Sequence, residues 1–330
     1  MNSPFPPSSS SPGEGRLIVE LLPQLISGLS TISFQYPLKL ISPSPSTSQK
    51  SVLVFLLTYG GGLVGGDQVH LTIEVKPSAK LSIVTQGHTK IFKSPSRDVV
   101  TRQEMDVTIR PGAAMCLLPD PVQPFEGSVY EQLQRFYVHE EASLCVLDWV
   151  SEGRTARGEE WDLGAWRGRN EVWVIGKAPQ KSRLLLRDNV ILEGDAPEAG
   201  EKVLRKKMHK LGIFGTLVLR GPLMDSLAAF FMAEFAALPR IGSRDFRSQE
   251  KVDRDSGVVR SRAEAWRIAR LKQEKADELL WSAAKVRGCT VVKFGARTVE
   301  GGRVWIGSML REEGSIARHF GEDSLMCVHQ

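Results

Sequence analysis

Hydrophobic and polar positions alternate along most of the chain. Val69, Leu71, Ile73 and Val75 interleave with His70, Thr72 and Glu74, the period of a strand with one buried face. Short runs of the same character recur at 17–22, 52–57, 81–84, 105–109, 133–138, 144–149, 172–175, 182–192 and 213–219. Gly, Pro, Asp or Asn stands in nearly every gap between them, as turns require. After Gly221-Pro222 the pattern changes. Residues 223–238 are rich in Ala, Leu and Phe, carry no β-branched side chain and stop at Pro239, which predicts a helix. A second helix is predicted over 262–287, because Ile268, Leu271, Ala276, Leu279, Leu280 and Ala283 fall mostly three or four apart before Gly288. Strands return at 289–294 and 303–306, and a short terminal helix follows. No internal repeat stands out. The pattern predicts a mainly β fold of the α+β class with a few helices, two of them towards the C-terminus.

Composition narrows the class. Of 330 residues, 42% are hydrophobic and 25% charged, the profile of a globular protein with a substantial core. Cys116, Cys145, Cys289 and Cys327 are widely spaced, which matches neither a disulfide framework nor a zinc finger. The first three lie in apolar runs and are expected to be buried free thiols, while Cys327-Val328-His329 is expected to be a frayed tail. Residues 1–15 are rich in Ser and Pro without Lys or Arg, so a disordered tail is expected rather than a signal or presequence. No stretch approaches the ~20 apolar residues of a membrane span. A cytoplasmic protein without a membrane partner is expected.

The net charge is +5, with a pI near 9.0. Residues 240–275 hold 11 Lys+Arg and 6 Asp+Glu, so the whole surplus sits in one charged, insertion-like stretch. A nucleic-acid binder would spread it over a patch or stripe of its body, and no nucleic-acid partner is expected.

The glycines of Tyr59-Gly60-Gly61-Gly62-Leu63-Val64-Gly65-Gly66-Asp67 spell GxGxxG. A dinucleotide site needs a helix to begin at those glycines, whereas the residues that follow alternate as a strand. No acidic residue stands about twenty positions on, and no Lys-Ser/Thr completes a P-loop. The motif reads as a strand–turn–strand corner. Three further constellations follow. Thr85-Gln86-Gly87-His88-Thr89-Lys90 reads as a polar turn. Leu117-Leu118-Pro119-Asp120-Pro121-Val122-Gln123-Pro124 is stiffened by its prolines. Ser151-Glu152-Gly153-Arg154-Thr155-Ala156-Arg157-Gly158-Glu159-Glu160-Trp161 interleaves arginines with carboxylates. Such arginines form bidentate pairs that lower carboxylate pKa values and make poor acids of them, and Trp with Arg is interface composition. The histidines show no metal-ligand spacing, so no permanent cofactor is expected.

In this order the motifs resemble one family. Gly61, Gly62, Gly65, Gly66 and Asp67, then Thr85, Gln86 and Lys90, then Pro119 and Asp120, then Arg154, Arg157, Gly158 and Glu159 are similar to the urease accessory proteins of the UreD (UreH) type. Gly168-Arg169-Asn170-Glu171-Val172-Trp173 resembles the fungal branch. The resemblance implies a single domain over 16–310 with insertions at 42–51 and 240–260, and a helix or tail over 311–330. It also implies stacked, β-helix-like strands. His88 departs from the family pattern, where alanine is usual. The implied function is a non-enzymatic metallochaperone scaffold with no catalytic residue. It docks a UreF-type protein and a UreG-type GTPase on apo-urease and helps pass nickel, the transferred ion, to the active site. Asp67 and Glu159 are the expected carboxylates of a transient nickel path, with capping of their own turns as the other reading, and 223–287 is the expected UreF-type interface. The competing class is a hydrolase that uses Glu152, Glu159 and His88.

Overall fold

The computed structural model describes residues 11–44, 49–176, 182–194, 203–238 and 261–328. Its strands form two large sheets, and the chain passes back and forth between them as a coil. Gln68–Val75, Thr101–Ile109, Val129–Val138 and Ala165–Val174 lie side by side and parallel in a seven-stranded sheet. Lys80–Val84, Ala114–Leu117 and Ser143–Ser151 alternate with them along the chain and lie parallel in the second sheet. Each passage from the seven-stranded sheet to the second uses a four-residue corner ending in alanine: Ala79, Ala113 and Ala142 each donate to the carbonyl three residues earlier and are at most 1% exposed. A larger side chain would wedge the stacked corners apart. The chain therefore does contain a repeat, which identities along the sequence do not reveal because only a small residue at the corner and apolar positions on one strand face need recur.

Antiparallel strands close the stack. Glu14–Leu21 pairs with Ser27–Phe34 at one edge of the seven-stranded sheet, and Arg183–Glu193 covers the other. Leu38–Ile41 edges the second sheet beside Val52–Thr58, while Ile213–Arg220, Cys289–Ala296 and Leu280–Val286 extend its far side. One apolar core lies between the sheets, centred on Leu71, Ile73, Met105, Phe136 and Val146. A second lies between the second sheet and the helices Asp225–Ala236, Val299–Glu313 and Ser315–Phe320, centred on Trp149, Phe231, Phe294 and Trp305. The expected mainly β fold with C-terminal helices is what the structure shows.

Three expectations are corrected. The helix predicted over 262–287 ends at Ala276, and Leu280–Val286 is an edge strand. Glu278 adopts a left-handed backbone, and Arg287 and Gly288, at φ of 48° and 82°, make a two-residue hairpin turn onto Cys289. The strand predicted at 303–306 lies inside the helix Val299–Glu313, whose N-terminus is capped by the Thr298 hydroxyl accepting from the Gly301 amide. Trp305, Ile306, Met309 and Leu310 form its buried stripe. The expected frayed end is also wrong at Cys327. The segment Glu322–Val328 folds into the core, and Cys327 is 3% exposed. Cys116, Cys145 and Cys289 are buried and free, as their apolar surroundings suggest. The charged stretch 240–260, residues 1–10, 45–48 of the 42–51 insertion, and His329 lie outside the described residues.

Candidate functional site

After each strand of the second sheet the coil makes a short third side before returning, and that side carries the motifs. Gly62–Leu63, Thr89–Ile91 and Val122–Pro124 pair in parallel, with Gly62 opposite Lys90 and Lys90 opposite Gln123. The Gln123 side-chain amide then donates to the Gly153 carbonyl at 3.0 Å. Four motifs spread over about a hundred residues are thus the same step of four successive turns, stacked in one ladder. Phe92 and Phe125 pack edge to face at 5.2 Å between adjacent steps. The Arg154 guanidinium sits 4.0 Å from the centre of the Phe125 ring, which ties the fourth step to the third.

The close spacing explains some of the glycines. A Cβ on Gly62 would lie 2.6 Å from the Lys90 carbonyl oxygen and from the Phe92 ring. Gly60 and Gly61, by contrast, have open space where a Cβ would be, and only their positive φ selects glycine. Gly62→Ala is expected to cost about 1–3 kcal/mol through overpacking, and Gly61→Ala about 1 kcal/mol through backbone strain. Thermal denaturation of the two variants checks the order; a Gly61→Ala loss larger than that of Gly62→Ala would contradict the close-packed ladder.

The carboxylates of the ladder are engaged. Asp67 accepts from the Val64 amide of its own turn at 2.8 Å. Glu159 accepts from the Arg154 backbone amide and from two nitrogens of its guanidinium. Burial opposes the charge of Glu159, but these donors outweigh it and hold the carboxyl below its ordinary range. Arg157 and Gly158 complete the same turn, Gly158 at φ of 77°. Asp120 is the hub of the second and third steps. Its carboxylate accepts from the Thr85 hydroxyl at 3.0 Å and the Gly87 amide at 2.9 Å, and it pairs with Arg303 at 3.0 Å. Arg303 also donates to the Cys327 carbonyl, and the Thr85 amide donates to Cys327 Sγ. Burial beside Asp120 pushes the Cys327 thiol up to about 12. Neither Arg303 nor Cys327 carries a signal in the sequence that joins it to Thr85 and Asp120, more than 180 residues earlier.

Glu152 and His88 do not meet. Glu152 lines a cavity of about 780 Å³ with Glu160, His209 and Arg297, and burial followed by the charge of Glu160 raises its pKa. His88 lines a separate cavity beside Gln86 and Lys90, and burial lowers its pKa despite Asp120 nearby. Among the described residues, no group of three or more His, Cys, Asp or Glu is arranged to hold a metal ion.

Sequence reasoning missed a polar seam between the two sheets. Asp148 accepts from Gln132 at 2.9 Å and from Asn170 at 2.6 Å, and the Tyr130 hydroxyl donates to Gln132. Further out, Asp188 accepts from Thr216 at 3.1 Å and from the half-exposed Lys293 at 2.6 Å. Burial raises the Asp148 pKa, and the Gln132 and Asn170 amides recover only part of the shift. Gln134 Oε1 and Asn170 Oδ1 are buried there without a partner, so the seam has acceptor capacity that the protein itself leaves unmet. The available signal was a polar residue at inward-facing positions of otherwise apolar strands.

The family model for the UreD urease accessory protein matches residues 12–323. A protein of Schizosaccharomyces pombe described as urease accessory protein ureD-like is 30% identical over 307 residues, 93% of this chain and 96% of its own length. Urease accessory protein 4 of Cryptococcus neoformans var. grubii is 33% identical over 225 residues, covering 61% of this chain and 68% of its own. Urease accessory protein UreD of Sorangium cellulosum is 34% identical over 197 residues, 60% of this chain and 58% of its own. Among the described residues, no helix is long and apolar enough to cross a membrane.

Proposed function

This chain belongs to the UreD family of urease accessory proteins, and we propose on that premise that it is a non-enzymatic scaffold for urease maturation. In this reading it docks a UreF-type protein, which brings a UreG-type GTPase, on apo-urease, and nickel passes through it as cargo to the urease active site. The observation that carries the reading is the ladder itself. Its carboxylates Asp67, Asp120 and Glu159 are spent on holding its turns together, and the residues of the hydrolase reading, Glu152, Glu159 and His88, stand apart or are clamped. The helices Asp225–Ala236 and Arg262–Ala276 are the proposed UreF-type docking face. The test is knockout and rescue in a urease-positive host. Loss of its UreD-type gene should abolish urease activity at normal urease protein levels, and this chain with nickel should restore it. Turnover by the isolated chain, or normal urease activity without it, overturns the proposal.

For the route of the nickel, the buried carboxylates Asp148 and Asp188 are proposed alongside Asp67 and Glu159. Carboxylates and amides hold a borderline cation weakly enough to release it, and the inner seam has unpartnered oxygens. Asp67 and Glu159 cap their own turns, and Asp148 and Asp188 accept from Gln132, Asn170, Thr216 and Lys293, so a passing cation displaces a donor at each. Asp148→Asn should keep the partner complexes intact yet lower the nickel content of matured urease several-fold, read by elemental analysis. Unchanged nickel content takes Asp148 off the route.

A further inference from the structure

The second sheet forks beside the ladder. Val52–Thr58 pairs with Lys80–Val84 only from Val52 to Phe55, where the register ends at Phe55 opposite Val84. The strand runs on to Thr58, held on its other side by Leu38–Ile41. Beyond the fork the chain at 85–88 turns away, and its polar groups are taken by Asp120 and Cys327. Burial drops at the same place: Val52, Leu53 and Val54 are buried, and residues 56–58 are half-exposed. On this side, therefore, residues 56–58 have no strand partner among the described residues, although the sheet supplies one to the residues before them.

The gap is a cavity of about 330 Å³ between residues 56–61 and 85–90, room for about ten waters at ~30 Å³ each. Its walls carry Lys39, His88 and Lys90 and no acidic side chain. Gly60, Gly61 and Gly87 are exposed there and have nothing within 4 Å of a Cβ position, so another backbone can come close. At the mouth the exposed Tyr59 ring stands 5.8 Å from that of Tyr36, which is 60% exposed, and Lys39 lies over Tyr59. Exposed tyrosines beside a cation suit a protein partner better than a small ion.

We propose that this slot takes up a short, extended, acidic segment of a protein partner. The segment adds as a strand alongside residues 56–58, and its carboxylates meet Lys39 and Lys90. Strand addition supplies main-chain hydrogen bonds, and alternate side chains supply specificity, so the fitting segment carries acidic residues at every second position. This goes beyond the scaffold reading and does not depend on it.

The probe is the peptide acetyl-Glu-Val-Glu-Val-Glu-amide, added to the full chain and followed through the amide resonances of Gly60, Gly61 and Gly87. Saturable shifts are expected up to about 1 mM peptide. They should weaken with salt and fall by at least about tenfold in affinity in the Lys39→Glu, Lys90→Glu double variant. Lys76→Glu, which changes charge at a half-exposed lysine outside the slot, should leave them unaltered. Absence of saturable shifts, equal shifts from the Lys-for-Glu peptide, equal weakening by Lys76→Glu, or identical shifts from acetate at matched carboxylate concentration would each overturn the proposal. The acetate result would identify a small-anion site instead.

Discussion

Glu274→Ala should destabilise the protein by about 3–5 kcal/mol, the range for removing one partner of a buried ion pair. The Glu274 Oε1 atom accepts from Arg270, from Trp281 Nε1 at 3.0 Å and from Trp305 Nε1 at 2.9 Å. The Arg270 side chain is 1% exposed, and its remaining carboxylate contact is Glu234 at 3.0 Å. Without Glu274 two indole N–H groups and one guanidinium arm lose their acceptor inside the helical cap, where Trp305 and Arg270 are fully buried and Trp281 half-buried. The urea midpoint, followed by the fluorescence of those tryptophans, should fall by about 1–2 M. A midpoint within experimental error of the parent would show that the network adds nothing to stability. The same cap is sensitive to acid. The Arg267 hydrogen bonds, aided by Arg270, hold Glu234 below its ordinary value of 4.5 against the cost of burial. A depressed folded pKa stabilises fully above 4.5, and that contribution is lost as pH falls through the folded value.

Asp120→Ala carries the second large effect, and it acts on function as well as stability. Three donors converge on this carboxylate, which is 6% exposed, and one of them is the partly buried Arg303. Removal leaves Arg303 with the Cys327 carbonyl and a distant contact to Glu300 at 3.8 Å, and reduces the tie between residues 85–87 and the third step to the Asp120 amide donating to the Thr85 hydroxyl at 2.7 Å. A stability loss of about 3 kcal/mol is expected, with failure to restore urease activity in the knockout host at normal urease protein levels. Asp120→Asn, which keeps one acceptor, should be milder in both assays. Full rescue by Asp120→Ala would show that the hub is dispensable for maturation.

Legibility followed physical cause. Gln68–Val75 could be read because one face meets the core and the other meets water, so polarity alternates with the pleat. The third-side strands Gly62–Leu63, Thr89–Ile91 and Val122–Pro124 could not, since two or three residues hold no period and their glycines and proline argue for turns. Gly301, Gly302 and Gly307 disguised a helix. Each is needed where the helix touches Asp277, Ile213 or the Val328 carbonyl, a requirement set entirely by tertiary contact. The four motifs could be picked out in the sequence, yet their being one position on four turns could not, because the spacing between turns varies while the stacking does not. Arg303 and Cys327 were invisible for a related reason: distant residues that complete a hub leave no local pattern.

The clasp between Thr85 and Cys327 also dictates when the molecule can be finished. Its partners lie 242 residues apart, a separation that takes roughly 10–50 s to synthesise at ~5–20 residues per second. For most of that interval, from Asp120 to Arg303, Asp120 and residues 85–88 are already made, but the arginine and the segment around Cys327 that secure them are not. The parallel turns can begin to stack as they emerge, whereas the ladder's central step stays unlatched until Arg303 and Cys327 arrive. The protein thus reaches its fully latched form only after Arg303 and Cys327 are made, and a growing chain that lacks them cannot present the completed ladder to any partner.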